Sequence, residues 1–174
     1  ASRLCPHRPA ERAGRLQLPH SGRQFPPDFA PAVPLRDLLA YEDRFVDELI
    51  AGAGHHGIAT VCANFPRVYI DPNRAPGELG ETAKGRERPG RPRPAKRARL
   101  VFRKLPDGKA IYDRPLARSD LRLRLERFWR PFHAALDKAV DATIHRWGSA
   151  WHIDWHSMRP RGNALAPDPG SLRP

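Results

Sequence analysis

Two short segments hold the residues best suited to chemistry: Pro19-His20-Ser21-Gly22 near the start of the chain and Ile153-Asp154-Trp155-His156-Ser157-Met158 near its end. Each sets a histidine just after an apolar run that reads as a β-strand. Histidines at strand ends, far apart in sequence, are how sites on α/β sheets are assembled, because the loops there carry function on a rigid frame. A third polar cluster, Ile70-Asp71-Pro72-Asn73-Arg74-Ala75, again follows an apolar run. Together the three point to one site that grips an acidic substrate and activates water.

The elements that position these residues follow from apolar spacing. Residues 1–13 are expected as a disordered lead-in, and Gly14-Arg15-Leu16-Gln17-Leu18 as a short strand delivering the Pro-His-Ser-Gly turn. Leu35, Leu38, Leu39, Phe45, Val46, Leu49 and Ile50 fall near helical spacing and predict a helix over 35–53, ended by Gly52, Gly54 and Gly57. Residues 58–62 and 68–70 read as strands, and 105–109 as a turn, a hairpin tip leading to 110–112. The longest helix is expected over 119–147, with Ser119 and Asp120 at its start and an apolar stripe of Leu121, Leu125, Phe128, Phe132, Leu136, Ala139 and Val140. Pro131 lies inside that stripe and should kink or divide the helix. After Gly148, residues 150–154 resume as strand. This order predicts an α/β fold, a mixed sheet flanked by helices.

Composition narrows the function classes. A chain of 174 residues is expected to form one domain. No apolar run is long enough to span a membrane. Cys5 and Cys62 have no zinc-finger or disulfide-framework spacing, which indicates ordinary thiols in a reducing cytoplasm. The net charge of +12 raises the question of nucleic acid, so its distribution matters. From Lys84 to Lys104 there are ten Lys/Arg and one acid, and the first 17 residues hold four arginines and Glu11; everything else is neutral. The 84–104 stretch, with Pro89, Pro92 and Pro94, is too polar to bury much surface and is expected as a basic loop. A nucleic-acid-binding fold would spread charge over structured elements, so hydrolytic chemistry is the first reading. The alternative is a non-catalytic basic module contacting nucleic acid or another polyanion through that loop.

Five motifs in order carry a more specific signal. These are Pro19-His20-Ser21-Gly22-Arg23, Glu42-Asp43-Arg44-Phe45-Val46-Asp47-Glu48-Leu49, Phe65-Pro66-Arg67-Val68-Tyr69-Ile70-Asp71-Pro72-Asn73-Arg74-Ala75-Pro76, Arg130-Pro131-Phe132-His133-Ala134-Ala135-Leu136 and the Ile153–Met158 segment. The pattern resembles the N-formylglutamate amidohydrolase (deformylase) family over roughly 18–79 and 111–160. The resemblance implies an architecture similar to the zinc carboxypeptidases and desuccinylases, within a domain at 14–160 and with a disordered tail at 161–174.

The same resemblance implies one zinc ion held by His20, His156 and a carboxylate, with an open position for water. Three protein ligands and a water suit amide hydrolysis, because the metal acidifies the water and polarises the carbonyl. For the carboxylate, Asp43 is favoured and Glu42 is next, since the position three residues after His20 is Arg23; Asp43 could also be only a solvated helix charge. Asn73 and Arg74 resemble the pair that binds a substrate α-carboxylate, with Arg67 for a second carboxylate. Arg74 could instead pair with Asp71, and His133 is either a weak catalytic candidate or a packing histidine. The implied substrate is N-formyl-glutamate or a similar small N-acyl acidic amino acid. The family also implies further strands and an acidic general base after the Asp-Trp-His-Ser-Met motif. The expectation is therefore a truncated or partly frame-altered member that keeps the metal and carboxylate half of the site and lacks the general base.

Overall fold

The strand that precedes His20 becomes the centre of the sheet. In the computed structural model, which describes residues 14–77, 100–105, 107–158, 160–161 and 170–172, β1 (Gly14–Leu18) lies between β2 (Ala59–Cys62) and β3 (Trp151–Asp154). Leu16 sits opposite Thr60 on one side and Ile153 on the other, and both pairings are parallel. The α/β class holds, but the described strands all run parallel where a mixed sheet was expected. Each connection between paired strands passes through helical segments, which is the long crossover that parallel pairing requires.

Side-chain alternation along β1 divides the interior into two layers. Leu16 and Leu18 join Val46, Ile50 and Cys62 on one face. On the other face Arg15 donates to Thr143 of the long helix, and neighbouring Val61 enters the larger core with Phe65, Phe132, Leu136 and Ala139. β3 is one of the two edge strands, and all four of its residues are exposed.

The predicted helix over 35–53 is instead four short pieces: α1 (Leu35–Leu38), a 3-10 turn (Leu39–Tyr41), α2 (Val46–Leu49) and a 3-10 segment (Ala51–His56). The break falls at Glu42–Phe45, where the Asp43 N–H donates to the His20 carbonyl at 3.1 Å and Phe45 takes φ of 65°. A tertiary hydrogen bond at the site thus overrides helical spacing. Residues 68–70 also form no strand. Their backbone turns, with the Tyr69 N–H donating to Pro66, and the Tyr69 carbonyl accepts from the Arg124 guanidinium rather than from a neighbouring strand. Val68, Tyr69 and Ile70 are fully buried all the same.

The long helix forms as α3 (Arg118–Arg124), a π-turn (Leu125–Trp129) and α4 (Arg130–Trp147), so Pro131 divides it through a widened turn. Gly148, at φ of 74°, ends it. Lys104 bridges Ala110 across the expected turn, where Gly108 has φ of 91°. Leu100 and Val101, at the end of the basic stretch, are buried in the core. In the segment expected as tail, Arg161 bridges Leu172. The lead-in, residues 84–99, Cys5 and most of 162–174 lie outside the described residues; Cys62 is buried. No described helix is long and apolar enough to cross a membrane.

Candidate metal centre

The parallel register brings the two histidines together. β1 ends at Leu18, and the chain turns through Pro19 to His20. Gln17 pairs with Asp154, and the Trp155 N–H donates to the Gln17 carbonyl at 2.9 Å. The next residue, His156, therefore comes alongside His20, with ring centroids 4.7 Å apart. The site stands at the carboxyl ends of β1 and β3. There the chain leaves β1 for β2 on one side and later crosses back to β3 on the other, the usual position of sites in open α/β sheets.

Asp43 completes the group. Its Oδ2 lies 3.2 Å from His20 Nδ1 and 2.8 Å from His156 Nδ1, and the two Nδ1 atoms are 3.1 Å apart. These separations are close to the edge of a tetrahedron whose centre is about 2.0–2.1 Å from each ligand, the zinc–ligand distance. Of the two candidate carboxylates the break before α2 aims Asp43 at the two histidines, whereas Glu42 pairs with the partly exposed Arg23.

The far nitrogens of both rings are held by carboxylates. His20 Nε2 lies 2.8 Å from Asp71 Oδ1, and His156 Nε2 lies 3.0 Å from Asp154 Oδ2. A carboxylate accepts, so each Nε2–H donates outward, which leaves Nδ1 as the ring nitrogen on the Asp43 side that would offer its lone pair to a metal. Such carboxylate–histidine pairs orient metal ligands. Asp71 is itself fixed: its Oδ2 accepts from Arg67 at 2.7 Å and its Oδ1 from the Asn73 N–H at 2.9 Å.

The electrostatics favour a positive charge at this point. Burial acts to raise the Asp43 carboxyl, but hydrogen bonds from His156 and His20 outweigh it and hold it well below the usual carboxylate range. Hydrogen bonds to Asp154 and then Asp43 push His156 up to about 9 against its partial burial. Asp71 is likewise lowered: burial is opposed by the His20 hydrogen bond and the Arg67 charge. The donor set, two imidazole nitrogens and one carboxylate oxygen with oriented far sides, fits a zinc ion.

The other predicted residues surround this centre. The Asn73 Nδ2 donates to Asp154 at 2.9 Å, 3.2 Å from His156 Nε2. Arg67 holds Asp71, and the Arg74 Nε approaches the same carboxylate only to 3.9 Å. Among the described residues neither Nε has a hydrogen-bond partner. His133 is not in the triad: it stacks on Trp129 and donates from Nε2 to the Pro72 carbonyl at 2.9 Å. The orienting positions of Asp71 and Asp154 were missed from sequence. Signals existed for both. Asp154 and His156 share one side of an extended chain at i, i+2, and Asp71-Pro72-Asn73 is the pattern of an Asx-turn.

A family model described as N-formylglutamate amidohydrolase matches residues 16–174. The crystal structure of N-formylglutamate amidohydrolase from Ralstonia eutropha JMP134, at 2.00 Å, superposes with a TM-score of 0.73 and 31% sequence identity, covering 91% of this chain. The chain covers 59% of that protein's length. No match is found among curated proteins.

Proposed function

Since the chain belongs to the N-formylglutamate amidohydrolase family, we propose that it serves metal-dependent hydrolysis of the amide of N-formyl-glutamate or a similar N-acyl acidic amino acid. The observation that carries this reading is the convergence of His20 Nδ1, Asp43 Oδ2 and His156 Nδ1, with both Nε2 atoms tied to carboxylates. His20, Asp43 and His156 hold the ion, which we take to be zinc. When bound it supplies an acidified water and polarises the amide carbonyl. Asp71 and Asp154 keep the imidazoles in the metal-binding tautomer. Arg74, with a partly exposed guanidinium, supplies a charge-assisted fork for the substrate's α-carboxylate beside Asn73. Arg67 holds Asp71 through one nitrogen, and the 18% of its side chain still exposed is offered to a second carboxylate. We place the protein in the cytoplasm, on its having only two cysteines, without disulfide-framework spacing; an architecture related to the zinc carboxypeptidases is part of the same proposal.

The test is zinc analysis and chelator competition on the whole chain, followed by deformylation of N-formyl-glutamate. One zinc per chain is expected, with a loss of affinity of about a hundredfold or more in His20→Ala, Asp43→Ala and His156→Ala. Turnover that persists unchanged after the metal is stripped, or a chain that takes up no zinc, overturns the reading.

A further inference from the structure

Pro131 forces a departure inside the long helix, and the side chains beside that departure reach the site. A proline lacks the N–H, and its ring crowds the carbonyl four residues back. The chain accommodates this through the wide turn Leu125–Trp129, in which the Arg130 N–H donates to the Leu125 carbonyl, five residues back. Turns of this kind recur at functional positions because they redirect the side chains around them. Here Phe128 and Phe132 both pack edge-on against Phe65 in the core. Trp129 and His133, one turn apart, stack on each other with ring centroids at 3.8 Å.

The polar edges of that stack meet the loop between Asp71 and Arg74. Trp129 Nε1–H donates to the Arg74 carbonyl at 2.8 Å, and His133 Nε2–H donates to the Pro72 carbonyl at 2.9 Å. These two carbonyls flank Asn73. Its own N–H is held by Asp71, and its side chain reaches Asp154 at the histidine pair. The loop is thus pinned from the helix on one side and from the metal-ligand shell on the other.

We propose that Trp129 and His133 are positioning residues that hold the Asn73–Arg74 loop in the conformation that receives the substrate's carboxylate. This rests on the reading of Arg74 as the carboxylate-binding residue. Neither ring contacts His20, Asp43 or His156 in the hydrogen bonds of the site, so their loss should act on ligand binding and not on the metal.

The test uses Trp129→Phe, His133→Ala and His133→Gln in the zinc-loaded full chain. Three quantities are followed: amide hydrogen exchange at Asn73, calorimetric binding of L-glutamate, and zinc affinity. Trp129→Phe and His133→Ala should each speed Asn73 exchange and weaken glutamate binding about fivefold, the size of one lost hydrogen bond, with zinc affinity unchanged. His133→Gln retains an N–H donor and should recover most of both losses. Unchanged exchange in the first two variants overturns the proposal, and so does a parallel loss of zinc. Arg74→Ala separates the two readings. If it leaves glutamate binding intact, or the parent chain binds no glutamate, the carboxylate assignment fails, while Asn73 exchange still decides whether the two rings hold the loop.

Discussion

Asp71 has no exposed surface and lies between a cation and an imidazole, with Arg67 on one oxygen and His20 Nε2 on the other. Both neighbours donate to it, which only a carboxylate can satisfy fully. In Asp71→Asn one of the two must face an amide NH2. If the amide turns its oxygen to Arg67, its NH2 donates to His20 Nε2, the ring shifts its proton to Nδ1, and the lone pair that would bind the metal disappears. Zinc affinity should fall about 10- to 100-fold with the fold retained, measured by chelator competition alongside circular dichroism. An unchanged affinity would show that the His20 tautomer is fixed by something other than Asp71. At this scale the histidines could be read from the sequence, because each closes an apolar run. Of their orienting carboxylates, Asp154 carries a local signal two residues before His156, whereas Asp71 reaches His20 only through the fold.

The β1 turn shows why a motif residue that does no chemistry can still be required. Gly22 packs directly on the backbone of Asn64–Phe65, just after β2, and a Cβ built there would stand 2.3 Å from the Phe65 carbonyl oxygen. Backbone cannot move aside as a flexible side chain can. Gly22→Ala should therefore destabilise the chain by about 1–3 kcal/mol or more by forcing the His20 turn away from β2, read by urea denaturation. Stability equal to the parent would mean that this approach is not tight in solution. The break between α1 and α2 obeys the same logic: helical spacing over 35–53 is real, but carrying Asp43 into the site requires an extended Glu42 and a left-handed Phe45. Local propensity yields where the site needs a particular direction. The π-turn before Pro131 is the counterpart in the long helix, where the proline was legible and the form of the accommodation was not.

At the scale of the molecule, the larger core is joined through Arg124, which donates to the Tyr69 carbonyl and the Tyr112 hydroxyl and lies 4.0 Å from the Tyr69 ring. Burial, then the hydrogen bond to Asp28, raises the Tyr69 phenol above its ordinary range; burial also raises Tyr112. The sign of the pH effect follows. Above pH about 10 the unfolded chain loses these protons while the folded chain keeps them, so unfolding gains and stability falls as pH rises. The fall should approach about 1.4 kcal/mol per pH unit for each tyrosine still protonated in the folded state. Urea midpoints between pH 9 and 11.5 measure it, and Tyr112→Phe should make the decline shallower. A flat profile would show that both phenols titrate normally in the fold.

The sequence by itself determined the α/β class, β1, β2, β3 and the long helix, because apolar period and glycine stops are local and strong. It also determined the family, through five motifs in order, and pointed to His20 and His156, while leaving Asp43 beside Glu42 as the carboxylate. What only the tertiary structure decided is how these parts meet. Parallel register sets His156 beside His20, a tertiary hydrogen bond breaks the helix at Asp43, and the turn at 68–70 lies flat in the core because Arg124 replaces a strand partner. It also decided that Arg67 holds Asp71 and that His133 holds the Pro72 carbonyl. Each of these depends on residues dozens of positions apart, and periodicity within one segment carries no information about which side chain from another segment will satisfy a buried donor or acceptor.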